Sequence, residues 1–291
     1  MILGLESLLK NCLKWTYNKK NKILLGFYKS ILGKNLSTEV IRMNKSKIQI
    51  FLFFIVLFLF FFFNISLCTN ITMNVIERII FIKYNNNCGT AFTVEVDNIQ
   101  YIITAKHVVE GIKQNDSIFL FHDNQWKKIE VKNIKFKNPK VDAIVLVPTI
   151  KVTPVTKLEF TSNNIVFGQD VYFLGFPFGM TTEVGSLNND FPMPFVKKGI
   201  CSNIDNTNPE ITGIWIDGYS NHGFSGAPIV FRDISTENIK IAGVLIGYLH
   251  ETIDVIDEKD GTESYVKINS GLIYCINIDS IIKLIKENQD N

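Results

Sequence analysis

An imidazole, a carboxylate and a hydroxyl occur along this chain in surroundings that would present each of them to a cleft. The first lies in Y-I-I-T-A-K-H-V-V-E-G, where a β-type run ends in the small Ala105 and then reaches His107. A ring at a strand end is fixed by its sheet yet open on one side. The second lies in V-D-A-I-V-L-V, where Asp142 stands immediately before an apolar run, placed to be buried and to hold one nitrogen of an imidazole. The third lies in H-G-F-S-G-A-P-I-V, where Gly223, Gly226 and Pro228 shape a tight turn that presents Ser225. Such a set would let the histidine take the serine's proton while the carboxylate orients the ring. The backbone N–H groups of Gly223 and Ser225 can converge on an oxyanion. Taken singly, His107 reads as a core histidine, Asp142 as a turn residue and Ser225 as part of a hairpin turn. It is their joint occurrence, in the order His, Asp, Ser, that points to catalysis.

The elements that must position these groups are almost wholly strands. Short runs rich in Val, Ile, Phe and Tyr fall at residues 79–83, 90–96, 100–104, 117–121, 128–131, 143–147, 171–174 and 239–246. N-N-N, D-N, N-D and F-G-Q-D punctuate them at the spacing of a β-sandwich or barrel. A helix is expected only at the C-terminus, where Asp279 would cap I-D-S-I-I-K-L-I-K-E-N and Ile281, Ile282 and Ile285 share one side. The expectation is one all-β domain over residues 75–291.

Upstream the pattern changes. Residues 48–67 form an uncharged, Phe-rich run of about 30 Å at helical rise, the thickness of a bilayer's hydrocarbon core. A helix apolar on all sides has no face to show water, so a transmembrane segment is expected here. Residues 1–47 carry ten Lys or Arg against two acids, and the rest of the chain carries 20 bases against 26 acids. A basic flank before an apolar span keeps the tail cytoplasmic and sends the following domain to the non-cytosolic side. The acidic balance after the span argues against nucleic acid as a partner. The span's length and the long basic segment favour an uncleaved signal anchor. A start at Met43 would instead make M-N-K-S-K and the run resemble a cleaved signal, with Ser66 and Cys68 at −3 and −1, and the domain would be secreted. Residues 69–74 read as a linker. The five cysteines (Cys12, Cys68, Cys88, Cys201 and Cys275) and the histidines have no metal-ligand spacing, and no metal site is expected. One bridge or buried free thiols both fit the cysteine pattern.

Residues 76–288 resemble the trypsin-like serine peptidases, most closely the protease domain of the HtrA (DegP-type) group. The likeness runs through C-G-T-A-F, T-A-K-H-V-V, V-D-A-I-V-L, F-G-Q-D-V-Y-F-L-G-F-P-F-G-M, V-K-K-G-I-C-S and G-F-S-G-A-P. It closes with I-A-G-V-L-I-G and S-G-L-I-Y-C-I-N-I-D. The resemblance implies a chymotrypsin-like double β-barrel with a short C-terminal helix. It implies a serine endopeptidase acting on protein or peptide substrates without cofactor, with His107, Asp142 and Ser225 as the triad and Gly223 and Ser225 as the oxyanion donors. The substrate would pair as an extra strand with Ile246, Gly247 and Tyr248. Tyr219, six residues before the nucleophile, would stand at the base of the specificity pocket and favour small or apolar side chains, with Asp217 nearby. Ala227 and Ala91 depart from the family's glycines, changes small enough to leave the triad usable. No residues remain after the barrel for a PDZ module, so regulation of that kind is not expected. His122, His222 and His250 are expected in surface or turn roles.

Two other classes compete. An inactive protease-like binding module at a membrane surface would keep the fold without the chemistry. An esterase on an α/β fold has some support in G-F-S-G-A, which lacks only the last glycine of G-x-S-x-G. That fold needs alternating helices and the order Ser, acid, His, and this sequence has neither.

Overall fold

The computed structural model describes residues 71–256 and 263–289. The basic tail of residues 1–47, the apolar run 48–67, Met43, Cys12 and Cys68 lie outside the described residues. Among those described, no helix is long and apolar enough to cross a membrane.

Packing onto the domain begins upstream of residue 75. A one-turn helix α1 (Met73–Ile76) buries Val75, Ile71 and Ile76 pack against the same core, and the Asn74 amide donates to the Lys157 carbonyl at 3.2 Å. Six strands follow: β1 (Ile79–Tyr84), β2 (Asn87–Val96), β3 (Ile99–Ala105), β4 (Asn115–His122), β5 (Gln125–Lys135) and β6 (Ala143–Pro148). They close into a barrel in the order β1-β2-β3-β6-β5-β4. Two of its hairpins turn on pairs with positive φ, Asp97 and Asn98 (50° and 65°) and Asp123 and Asn124 (53° and 56°). Asn and Asp tolerate this region, and two such residues give the turn whose twist matches that of the flanking strands.

The second sheet contains β7 (Glu159–Phe160), β8 (Asp170–Gly175), β9 (Phe195–Asp205), β10 (Gly213–Asp217), β11 (Pro228–Arg232), β12 (Ile239–Ile256) and β13 (Glu263–Asn277). Its order is β11-β8-β9-β10-β13-β12-β7, and β11 also pairs with β12, so six strands form a ring of pairings. The result is the all-β, chymotrypsin-like fold with a short C-terminal helix that the resemblance implies. Phe173, Ile214, Ile216, Phe224, Ile229, Phe231 and Ile273 fill the second core. Cys201 and Cys275 are also buried there as free thiols, whose pKa burial raises; Cys88 is free and exposed.

The terminal helix α2 (Ile278–Gln289) buries Ile278, Ile281, Leu284 and Ile285, while Ile282 is half-buried. Its cap differs from the expected one. Asn277 Oδ1 accepts the Ser280 N–H at 3.1 Å, three residues on, as an N-cap does. Asp279 lies inside the first turn and points back to the loop before β8, accepting from Thr161 Oγ1 at 2.9 Å and Ser162 N at 2.7 Å. A carboxylate held by donors on another segment, the Ser162 hydroxyl among them, is a tertiary tie, so capping falls to the asparagine.

Candidate active site

His107 and Asp142 meet because of strand register. β3 and β6 are antiparallel with Ala105 opposite Ala143, which sets the residue two beyond one strand against the residue one before the other. His107 Nδ1 lies 2.7 Å from Asp142 Oδ2, and the His107 N–H donates to Asp142 Oδ1 at 2.9 Å. Both carboxylate oxygens are thus engaged by one residue, which fixes the ring and leaves its Nε2 free of that contact. Lys106 braces the pair from the other side. Its N–H donates to the Asp142 carbonyl at 3.0 Å, and its ammonium to the carbonyls of Pro139 and Val141. Asp142 is less buried than its position before an apolar run implies: its side chain is 32 % exposed, and that of His107 46 %. The pair sits at a strand end, where the barrel covers one side only.

Ser225 comes from the second sheet, in the turn between β10 and β11. Gly223 and Gly226 hold positive φ of 97° and 86°. A Cβ on Gly223 would stand 2.1 Å from the Phe176 carbonyl oxygen, and one on Gly226 2.0 Å from that of Thr90. Both conformation and space therefore require glycine. Between them Phe224 is fully buried, edge-to-face on Phe173 at 5.2 Å, and anchors the turn in the second core.

Thr90 of β2 joins this turn to the first barrel. Its N–H donates to the Ser225 carbonyl at 3.0 Å, and its hydroxyl donates to the Gly223 carbonyl at 2.7 Å while accepting from Phe176 N at 3.1 Å. Its own carbonyl accepts from Thr104 Oγ1 at 2.8 Å, one strand away on the run that leads to His107. A Cβ on Gly89 would meet Val108 at 2.7 Å and the Ser225 carbonyl at 3.1 Å, which puts the serine beside the turn that carries His107. The Ser225 hydroxyl makes no hydrogen bond among the described residues, to His107 or any other group. Catalytic hydrogen bonds are commonly long before substrate arrives. The N–H groups of Gly223 and Ser225 also have no acceptor among the described residues, while neighbouring amides of the turn do: Phe224 N donates to Asn221 O, Gly226 N to Leu245 O and Ala227 N to Phe224 O.

β12 offers an open edge next to the turn. It pairs with β11 up to Val244, and Leu245 still exchanges hydrogen bonds with Gly226 and Ala227. From Ile246 through Gly247 and Tyr248 that edge has no strand neighbour among the described residues, while the opposite edge continues along β13. Tyr219 is 57 % exposed before the turn. Asp217 ends β10 as an exposed residue. His222 is exposed beside Gly223, with its ring 6.3 Å from that of Tyr248, which in turn lies 4.9 Å from the His250 ring. His122 lies away from this group, edge-on to Phe191 at 4.4 Å and bonded to Lys127.

Three residues around this site escape a reading of the sequence. Thr90 and Phe176 act through backbone and hydroxyl contacts between distant segments, which composition does not reveal. Lys197 lies on the inward row of β9 with Gly199 and Cys201, a placement that strand alternation would disclose once the strand is recognised. Among the described residues no group of three or more His, Cys, Asp or Glu is arranged to hold a metal.

A family model described as the trypsin-like peptidase domain matches residues 89–234. Similar solved structures include the Rv3671c protease from M. tuberculosis in an inactive form, at 16% identity and TM-score 0.47, covering 77% of this chain and 93% of that one. The active form of the same protease is 17% identical at TM-score 0.47, covering 73% and 81%. An HtrA-type protease, AlgW, with a tripeptide, is 18% identical at TM-score 0.47, and the match covers 74% of this chain and 63% of that one.

Proposed function

The chain belongs to the trypsin-like peptidase domain family, and on that premise we propose that it is a serine endopeptidase working through His107, Asp142 and Ser225. The observation that carries this reading is the turn from Gly223 to Gly226, pinned by Thr90 beside the His107–Asp142 pair, with two amides that have no acceptor among the described residues.

In this mechanism His107 Nε2 takes the Ser225 proton as Oγ attacks the scissile carbonyl, and then gives it to the leaving amine. Asp142 holds the proton on Nδ1 and stabilises the imidazolium that forms. The N–H groups of Gly223 and Ser225 receive the oxyanion, where loss of one donor costs about 3–4 kcal/mol in comparable sites. Water then enters from the leaving-group side, and His107 activates it to release the acyl group. The substrate backbone runs along the open edge of β12 at Ile246, Gly247 and Tyr248, as strand addition requires. The HtrA-like cast of G-F-P-F-G and of the strand entering α2 supports placing the domain with that branch. The basic tail and the apolar run of residues 48–67 support attachment to a membrane, with the domain on its non-cytosolic side.

A fluorophosphonate probe tests the chemistry. The full chain should become labelled at Ser225, and labelling should vanish in Ser225→Ala. A well-folded wild-type chain that stays unlabelled would instead be a binding module on a protease fold.

A further inference from the structure

Lys197 is the second residue of the inward row that opens β9, opposite Phe173 of β8. Its side chain runs toward the segment before Ser225. The ammonium donates to Asn221 Oδ1 at 2.7 Å and lies 5.2 Å from the centre of the Tyr219 ring and 5.7 Å from that of Phe224. That segment is held against β13 from behind, since Gly218 N donates to the Gly271 carbonyl at 2.8 Å and Asn269 Nδ2 to the Ser220 carbonyl at 2.7 Å. The cation is therefore fixed among residues 219–224, the segment that leads into Ser225.

Among the described residues its surroundings satisfy it only in part. An ammonium has three donors, and Asn221 takes one. The two ring faces attract the charge but accept no strong hydrogen bond. Among the described residues it forms no ion pair, in contrast to Lys198 on the outward row, which pairs with Asp170 at 2.8 Å. Burial lowers its pKa, the sign of a charge short of compensation.

Resting on the peptidase reading above, we propose that Lys197 is a specificity-determining residue and that the enzyme prefers substrates with an acidic side chain at the residue whose carbonyl Ser225 attacks. A carboxylate entering between Tyr219 and Asn221 gains a charge-assisted hydrogen bond in a partly desolvated site. A basic side chain meets a like charge, and an apolar one leaves the ammonium desolvated with nothing in return. This departs from the small or apolar preference that Tyr219 implies, because the ring now serves as a wall on which the cation rests.

The test uses the full chain and quenched peptides that differ only in Glu, Gln, Leu or Lys at the cleaved position. Wild type should show kcat/KM at least about ten times higher for Glu than for its isostere Gln, and lowest for Lys. Lys197→Met should bring the Glu-to-Gln ratio to about one, Lys197→Arg should keep it above one, and Lys197→Glu should favour Lys over Glu. A wild-type preference for Leu over Glu overturns the proposal. So does a Lys197→Met variant in which all four peptides slow by one common factor, the mark of a merely structural lysine. Fluorophosphonate labelling of each variant shows whether its site has formed. Labelled wild type without a Glu preference sinks this inference alone, whereas unlabelled wild type sinks the peptidase reading with it.

Discussion

In the first barrel, His107 and Asp142 are set by the pairing of two neighbouring strands, Ala105 against Ala143, and bond to each other directly. In the second sheet, Ser225 is set by a turn whose shape depends on two glycines and whose position depends on Thr90, a residue of the other barrel. The His107–Asp142 pair is thus local to one barrel, while the placement of Ser225 is a property of the contact between that barrel and the second sheet. A defect in the pair should damage chemistry and leave packing alone. A defect in the turn should loosen both, in proportion to how far it moves the backbone.

The sharpest probe of the local half is Asp142→Asn. It keeps shape but removes the group that fixes the ring's tautomer, and kcat on a quenched peptide should fall about 10,000-fold while the far-ultraviolet circular dichroism and Tm stay close to wild type. A fall below about tenfold would remove Asp142 from the mechanism. On the turn side, Gly223→Ala forces a Cβ onto the Phe176 carbonyl and shifts the Gly223 N–H, the proposed oxyanion donor. The expected loss is about 100- to 1,000-fold in kcat with little change in KM, read by steady-state kinetics.

The contact between the halves is probed more gently by Thr90→Val. The change keeps volume but leaves Phe176 N–H and the Gly223 carbonyl without their partner, at about 1–3 kcal/mol for each group in denaturant unfolding. Activity should fall roughly tenfold, with kcat and stability declining together. If stability falls and kcat does not, the turn holds its shape without the first barrel, and the contrast drawn above is wrong.

The smallest effect concerns pH and the second sheet alone. The buried Asp233 lies 2.7 Å from the Lys240 ammonium, which also meets Glu159 at 2.9 Å. Hydrogen bonds from Lys240, then Asn164, hold Asp233 well below the usual carboxylate range, and Lys240 lowers Glu159 too. Carboxylates lowered on folding stabilise fully above their unfolded values of about 4 and lose that contribution as pH falls through the folded ones. Lys240 is raised by the same partners, so its contribution is complete below its unfolded value of about 10.4 and fades only at higher pH. Wild-type Tm should therefore be flat near neutrality and decline below about pH 4. Lys240→Met should start several degrees lower and lose less over the acid range. The first barrel's pair should be unaffected, which kinetic assay of that variant at neutral pH would check.

How much of this was open to a reader of the sequence differs between the two halves as well. β1 to β6 follow their Val, Ile and Phe runs within a few residues, since both their pattern and their Asp-Asn turns are local properties. In the second sheet, β9 and the outer part of β13 carry no continuous apolar run, and those of β10 and β11 are only I-W-I and P-I-V-F. β9 reads F-V-K-K-G-I-C-S-N-I-D and buries only alternate residues, and the far end of β13 is exposed along its length. Such strands exist because a partner supplies the ladder. Family likeness pointed to V-K-K-G-I-C-S and S-G-L-I-Y-C-I-N-I-D where periodicity did not.

By itself the sequence determined which residues are candidates for the chemistry. Residue type and the glycines around Ser225 limit what each group can do, and their order along the chain needs no coordinates to be read. Tertiary structure decided everything that depends on segments far apart in the chain. It made Thr90 the clamp on the turn, moved the helix cap from Asp279 to Asn277, and set Lys197 beside Tyr219 and Asn221. The physical reason is range. Conformational preference and alternation act between neighbours, whereas hydrogen bonds and charges act on whatever the fold brings within a few ångströms.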